Sequence, residues 1–439
     1  MAGYCSKLLR VNLSTREVRQ ENLDIELAKK FIGGRGLGTY LLSREISPDI
    51  DALSSENKIM FVTGPLTGTQ APTSARYMVV TKSPLSGTVA SSNSGGFWGP
   101  ELKRAGFDLI IVEGKSSKPC YISIRDNHVE IKSAEKYWGK LISESTDLLL
   151  EEFKDPKARV ATIGPAGEKQ SLLACVINDK YRAAGRSGVG AVMGSKNLKA
   201  IVVRGTGKLE PANKDAAKEV LGTVLKKIKA SDVTSKGLPT YGTSVLVNVI
   251  NETGIYPTNN FQKAFFETAD KVSGEALAET YLVKNVACYR CPIGCGRSCR
   301  VDGVEGEGPE YETLWAYSAD CGVDDMEAVI RANNWCNEYG LDTISAGATI
   351  ACAMELYEKG IIKPNELDGP PLEFGSGEAI VEWTRKMGAG EGFGAKLALG
   401  SYRLAQEYGV AELSMSVKKL EMPAYDPRGV QGHGLGTNR

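Results

Sequence analysis

The sequence predicts an α+β protein, with a β-rich N-terminal cofactor-cradling domain followed by a mostly helical domain. Three observations carry that prediction. Residues 1–208 contain short runs rich in Val, Ile and Tyr, punctuated by Gly, Pro, Asn and Asp, which is the pattern of strands and turns. Beyond them, apolar residues recur at threes and fours, the period of an amphipathic helix. Between the two regions, GTGKLEPANK (205–214) is a polar stretch with Gly and Pro, the composition of a linker.

In chain order, the strand-like runs are KLLRVNL, KIMFVTG, RYMVVT, DLIIVEG, CYISI, HVEI, RVATIG and KAIVVRG. CYISIRDNHVEIK reads as a hairpin turning at Asp126-Asn127. The helical runs are DAAKEVLGTVLKKIKA, SGEALAETYLVKN, DMEAVIRANNWCNEYG, the stretch around ISAGATIACAMELYEKG, and KLALGSYRLAQEYG. Three of them end in Gly, where a helix C-cap favours it. No fixed-period repeat and no low-complexity tract is evident. The expected division is 1–208, a β-rich domain, and 209–417, a helical domain bearing the cysteine motif, with 418–439 beginning a third.

Composition narrows the function classes. The chain has 439 residues, 42% hydrophobic and 24% charged, enough for sizeable cores. Its 53 basic and 53 acidic residues balance, so no global attraction to nucleic acid or anionic membrane is expected and any anion site must be local. The N-terminal MAGYCSKLLRVNL has no signal-peptide core, and runs such as LIIV are too short to cross a bilayer. A cytoplasmic location is expected, where ten cysteines stay reduced and available for metal.

Four of those cysteines fall within CYRCPIGCGRSC (288–299). Cys288, Cys291 and Cys295 form C-x2-C-x3-C, and Cys299 follows four residues later. Thiolates two and three residues apart can reach adjacent corners of an iron–sulfur cluster, which commonly takes a fourth ligand from elsewhere. A structural zinc site usually draws on two separated pairs. Both metals, and no metal, stay open on spacing alone; the order is the reverse of the radical-SAM spacing. Pro292, Gly294 and Gly296 suit a loop that turns its backbone N–H groups toward sulfur. Cys120, Cys175 and Cys352 lie in apolar runs and read as core residues.

Two glycine-rich stretches, SSNSGGFWGPELKRAG (91–106) and YRAAGRSGVGAVMGSKNLKA (181–200), match neither a dinucleotide nor a P-loop fingerprint. Their glycines interleave with Arg182, Arg186, Lys196 and Lys199, and Arg76 and Lys82 flank a further Gly/Pro-rich turn. Exposed N–H groups and guanidinium forks make anion-binding concavities, so a phosphorylated cofactor is expected where these segments converge.

With these motifs in view, the chain resembles the aldehyde ferredoxin oxidoreductase family of tungstopterin enzymes. The resemblance runs through LLRVNLST, RYMVVTKSPLSG, NSGGFWGPELKRAG, IGPAGE, RAAGRSGVGAVMGSKNLKAI, CYRCPIGCGR, GEGPEYET, GLDTIS, GFGAKLALGSYRLA and PAYDPRG. It implies two pterin dithiolenes chelating one tungsten, a 4Fe-4S cluster beside one pterin, and magnesium between the pterin phosphates. It also implies oxidation of aldehydes to carboxylates with electrons passed to ferredoxin. Carried over by position, Cys288, Cys291 and Cys295 are cluster ligands, and Arg76, Asn93, Gly95, Arg182 and Ala183 line the pterins and magnesium. Leu341 and Asp342 match a pterin-gripping D-x-x-G-L motif in which Asn337 replaces the usual Asp. Glu312 is the candidate acid/base near the metal.

The sequence departs from the family pattern in three places. PAYDPRGVQGHGLGTNR stops where family members continue into a domain bearing a second D-x-x-G-L motif and the fourth cluster cysteine. The expectations are therefore Cys299 as substitute ligand, a second chain supplying that domain, or a non-catalytic remnant. Arg331 and Asn334 occupy the E-x-x-H positions that hold an intersubunit iron in some members, which weighs against a homo-oligomer built on that metal. Of the two histidines, His128 is expected in a surface hairpin and His433 in a structural tail.

Overall fold

Short runs rich in apolar and β-branched residues, several of them buried on both faces, form two mixed six-stranded sheets in the first half of the chain. The structure is a computed structural model and describes residues 3–437. The first sheet holds β1 (Lys7–Asn12), β2 (Glu17–Asn22), β3 (Ile59–Thr63), β4 (Tyr77–Lys82), β5 (Val89–Ser94) and β6 (Leu109–Glu113), ordered β2-β1-β6-β3-β4-β5. The second holds β7 (Cys120–Arg125), β8 (His128–Ser133), β9 (Arg159–Thr162), β10 (Val176–Asn178), β11 (Arg182–Ala184) and β12 (Leu198–Arg204), ordered β8-β7-β12-β9-β10-β11. These are the same topology twice. Each sheet has one parallel pair, β1 with β6 and β7 with β12, and each inserts a helix before its last strand, Trp98–Arg104 and Val189–Ser195.

All eight expected runs form strands, and β7 and β8 pair through Arg125 and His128 around the expected turn. Four strands escape the sequence pattern. EVRQEN in β2 and VASSNS in β5 are polar edge strands without alternation, and β10 and β11 are only three residues each. The duplication escapes it too, because what repeats is the order of backbone pairing and not a set of recurring residues.

The inner faces of both sheets pack together around the two inserted helices, burying Phe61, Trp98, Ile110, Ile122, Val192 and Ile201. Trp98 Nε1 donates to Ile201 O (3.1 Å), pinning the first helix to the second sheet. Helix Gly34–Glu45 covers the outer face of the first sheet and helix Ile142–Phe153 that of the second.

Residues 205–213 form no helix or strand, and the helical region follows. Its first helix, Lys214–Ala230, buries none of its residues. The core forms instead around helices Tyr311–Tyr317, Met326–Tyr339, Thr343–Glu358 and Gly377–Ala389, and it takes in Leu85, Leu173 and Ala191 from the first region. Two expected helices are shorter than their periodicity suggested. Gly274–Thr280 gives way to a strand, β13 (Leu282–Val286), and KLALGSYRLAQEYG is two helices broken at Gly400 (φ 91°). β13 pairs with β14 (Gly296–Val301), which pairs with β15 (Val304–Glu307), so the cysteine run is the loop of a small antiparallel sheet and not part of a helix.

Helix Thr343–Glu358 crosses Tyr311–Tyr317 at Gly347, where an added Cβ would lie 2.7 Å from Ala316 O. The close approach sets the spacing between Glu312 on one helix and Asp342 at the N-cap of the other. Gly347→Ala is expected to destabilise the fold by about 1–3 kcal/mol. A lower denaturant midpoint with an unchanged slope would show it.

Candidate functional site

β5 and β11 are the end strands of the two sheets, and they meet side by side. Their junction is tied by Asn178, whose amide oxygen accepts from Tyr77 Oη (2.9 Å) and Ser94 Oγ (2.6 Å) while its amide nitrogen donates to Gly95 O (3.1 Å). Asp179 receives the Phe97 N–H (2.6 Å) at the start of the Trp98–Arg104 helix. Gly96 is left-handed (φ 83°) and carries the chain from β5 into that helix.

The cysteine loop docks on this junction. Tyr289 N donates to Gly96 O (3.1 Å), Thr73 N to Arg290 O (3.0 Å) and Tyr289 Oη to Gly68 O (3.1 Å). Cys291 N closes a turn onto Cys288 O (3.1 Å), with Arg290 (φ 52°) and Gly294 (φ 64°) left-handed. A Cβ on Gly95 would lie 2.9 Å from Cys288 Sγ, so glycine is what lets the thiol approach the strand. Cys288, Cys291 and Cys295 are free and half-buried, and burial raises the Cys295 thiol. Among the described residues no three His, Cys, Asp or Glu donors converge as one ion would require.

Around that loop, Arg76 Nη1 donates to Asn93 Oδ1 (2.7 Å), and the guanidinium reaches toward Gly95. Arg182 Nη2 stands 2.6 Å from Glu307 Oε1, and Nη1 3.8 Å from Glu310 Oε1. The Arg182–Glu307 contact lacks the alignment of a hydrogen bond, and both atoms are buried. Burial pushes the Glu307 carboxyl up to about 7, outweighing the guanidinium beside it, and Glu310 adds to the rise.

β11 leads from there to a second group. Arg186 Nε lies 3.5 Å from Asp342 Oδ2, and both atoms are buried without an aligned partner. Asp342 caps helix Thr343–Glu358 through Oδ1 and Ile344 N (3.2 Å). Glu312 Oε2 accepts from Ala424 N (3.1 Å); burial raises its carboxyl, opposed by Arg186. Leu341 is buried and bridges to Ala174, Ala183 is exposed on β11, and Asn337 is half-buried on helix Met326–Tyr339. Four under-satisfied buried polar atoms, on Arg182, Arg186, Glu307 and Asp342, are an arrangement that a large polar ligand would complete. The residues present fit a pterin-type group.

Three expected anion ligands do not belong to the site. Lys82 Nζ donates to the carbonyls of Pro48 (2.5 Å) and Ile50 (2.6 Å). Lys196 is fully buried and donates to Asn57 O (2.5 Å) and Gly114 O (3.0 Å), and Lys199 pairs with Glu168 (2.5 Å). Each satisfies backbone or a carboxylate inside the fold, so the glycine-rich segments converge through their arginines alone. Cys299 is buried among apolar side chains on β14, its thiol pushed up to about 11 by burial, with Arg297 and Glu307 as charged neighbours in place of the loop thiols. It does not join the loop. His128 sits in the expected hairpin. Sequence reading missed Asn178 and Asp179, which follow a three-residue strand and carry no motif. Glu307 and Glu310 lay within the quoted GEGPEYET, and that string was the signal available for them.

Comparison with known proteins adds the following. Residues 8–205 match the family described as aldehyde ferredoxin oxidoreductase, N-terminal domain, and residues 219–438 match aldehyde ferredoxin oxidoreductase, domains 2 & 3. The tungsten-containing aldehyde ferredoxin oxidoreductase of Pyrococcus horikoshii is 54% identical over 440 residues, 99% of this chain and 72% of that protein. An aliphatic sulfonate oxidoreductase, WOR-like subunit, of Pyrococcus furiosus is 33% identical, covering 92% of this chain and 67% of that protein. Among solved structures, the active site complex BamBC of benzoyl coenzyme A reductase with 1,5-dienoyl-CoA superposes with a TM-score of 0.86 at 31% identity. That match covers 97% of this chain, which spans 66% of the length of the other.

Glu307 has a consequence for stability. Its folded value, about 7, exceeds the ordinary 4.5, so its contribution is full below about pH 4.5 and is lost as pH rises through 7. Glu307→Gln in the cofactor-free protein is expected to flatten the pH dependence of the denaturation midpoint across that window.

Proposed function

Because the chain belongs to the aldehyde ferredoxin oxidoreductase family, we propose that it oxidises aldehydes to carboxylic acids and passes the electrons through a 4Fe-4S cluster to ferredoxin. In this reading a tungsten held by two pterin dithiolenes supplies the two-electron oxidation when bound. The observation that carries the reading is the thiol loop seated against Gly95, next to Arg76 and Asn93 and within the field of Arg182.

Cys288, Cys291 and Cys295 would ligate the cluster. Arg76, Asn93, Gly95, Arg182 and Ala183 would hold the pterins and magnesium, with backbone N–H groups and guanidinium forks as the anion contacts. Asn337, Leu341 and Asp342 would hold a pterin as well; an amide at 337 accepts one hydrogen bond where a carboxylate would accept more. Arg186 orients Asp342. Glu312, whose carboxyl burial favours the neutral form, exchanges a proton as water adds to the aldehyde carbon. The reaction is RCHO + H2O → RCOO⁻ + 3H⁺ + 2e⁻.

Identity to the aldehyde enzymes exceeds that to the sulfonate and benzoyl coenzyme A proteins, which favours an aldehyde over a sulfonate or an aromatic thioester. The fourth cluster ligand and the remaining pocket wall come, in this reading, from polypeptide outside these 439 residues, in the same or a second chain. No helix among the described residues is long and apolar enough to cross a membrane.

Anaerobically purified protein is expected to hold tungsten with about four iron and four sulfide per site, and to reduce viologen only when aldehyde is present. Glu312→Gln is expected to lower kcat by about 100-fold with metal content unchanged. Folded protein, complete with any partner chain, that lacks both tungsten and aldehyde-dependent reduction would refute the assignment.

A further inference from the structure

Arg297 lies directly against the cysteine loop, and the reading above gives it no task. It sits on β14 two residues after Cys295 and is 3% exposed, the most buried arginine among the described residues. Its Nη1 donates to the carbonyls of Gly294 (3.4 Å) and Gly296 (3.0 Å), on either side of Cys295, and to Asn285 Oδ1 (3.3 Å) on β13. Its Nη2 donates to Leu238 O (2.6 Å), and its Nε is buried without a partner. Gly242 (φ 67°) closes over the arrangement. An added Cβ there would lie 2.9 Å from Cys295 O and 3.2 Å from Arg297 Nε, so glycine is what lets loop and guanidinium come together.

Every one of these hydrogen bonds goes to a neutral oxygen. Arg10, Arg182 and Arg204 each meet a carboxylate, Glu45 (2.8 Å), Glu307 (2.6 Å) and Glu101 (2.8 Å), whereas among the described residues Arg297 makes no ion pair. The ionisable groups that face it are Glu310, Cys295 and Cys299. Glu310 is engaged elsewhere, accepting from Thr243 Oγ1 with its Oε1 3.8 Å from Arg182 Nη1. Cys299 is buried in the apolar core. The counter-charge therefore has to come from the loop. A guanidinium stays protonated, and an interior cation without an opposite charge is costly. An orphaned Nε and an uncompensated charge at the loop fit an anionic, thiolate-bound iron group there.

We propose that Arg297 is the counter-charge of the iron–sulfur cluster held by Cys288, Cys291 and Cys295, and that it raises the cluster's reduction potential. The inference rests on the cluster in the function proposed above. Arg297 stabilises the negative charge added when one electron from the aldehyde rests on the loop, and that electron then passes to the acceptor. No bond at Arg297 breaks and no proton leaves it. By gripping the carbonyls on both sides of Cys295, the guanidinium keeps its charge in register with that ligand.

The test is a reductive titration of the full-length, metal-loaded protein, with any partner chain, followed at pH 7 by electron paramagnetic resonance of the reduced cluster. Arg297→Gln keeps a donor for the carbonyls and removes the charge. It is expected to lower the equilibrium constant for one-electron reduction about tenfold, or about 59 mV. Arg297→Lys keeps the charge with fewer donors, and is expected to stay within about threefold of the wild type. A role confined to bracing the loop would reduce iron content and leave the potential of the remaining clusters unchanged. A wild-type potential in Arg297→Gln therefore overturns the proposal, as does an Arg297→Lys potential as low as that of Arg297→Gln. If Arg297→Gln retains no iron, Arg297→Lys decides: a tenfold fall despite the retained charge overturns the proposal, and a potential near that of the wild type upholds it. Wild-type protein that holds no iron overturns both the cluster and this role. Iron without aldehyde-dependent reduction refutes the oxidation alone, and the titration still decides the role of Arg297.

Discussion

Everything at the site depends on how completely one buried amide is satisfied. Asn178 has two acceptor positions and two N–H groups, and all four are used, by Tyr77, Ser94, Gly95 and Asp179 (2.9 Å). Tyr77, Ser94 and Gly95 belong to the first sheet or its immediate continuation, and Asn178 to the second. The amide therefore fixes the two sheets against each other at the edge where β5 and β11 meet. From it follow the position of Gly95, the entry of the chain into the Trp98–Arg104 helix through Asp179 and Phe97, and the Gly96 carbonyl that receives Tyr289.

Buried charge is treated in two ways in this fold. Lys103 with Asp108 (2.5 Å), Lys199 with Glu168 (2.5 Å) and Lys196 on two carbonyls are saturated in the interior and hold elements together. Arg182, Glu307, Arg186 and Asp342 are partly or largely buried, yet each keeps one buried polar atom without an aligned partner. Such atoms cost stability unless something else satisfies them. The contrast separates scaffold from site more sharply than residue type does, since both groups consist of cations from the glycine-rich stretches and carboxylates from outside them.

That contrast also explains how far the sequence could be read. Continuous β-branched and apolar runs such as DLIIVEG and KAIVVRG announced their strands because both faces of each are buried. The thiol loop was legible because its spacing is constrained by covalent reach. Lys82, Lys196 and Lys199 were misplaced because a lysine that caps carbonyls looks, in sequence, like one that awaits phosphate. Cys299 was considered as a ligand for its proximity along the chain, but on β14 it is buried in the apolar core. Asn178 had no signal at all: its role is set by three partners some 80 to 100 residues away, at Ser94, Gly95 and Tyr77. The repeated topology was hidden for the related reason that backbone pairing leaves little trace in residue identity.

The docking of the thiol loop has a consequence for how the protein matures. Tyr289 finds Gly96, and Arg290 finds Thr73, across roughly two hundred residues of intervening chain, and contacts so remote in sequence form late because loop closure must come first. The platform around Gly95 depends on the second sheet, so both sheets must be in place before the loop has a surface to receive it. Until then the three thiols remain open to solvent and to oxygen. The order of events is thereby written into the topology: fold the sheets, then seat the loop, with the undocked interval as the stage most exposed to damage.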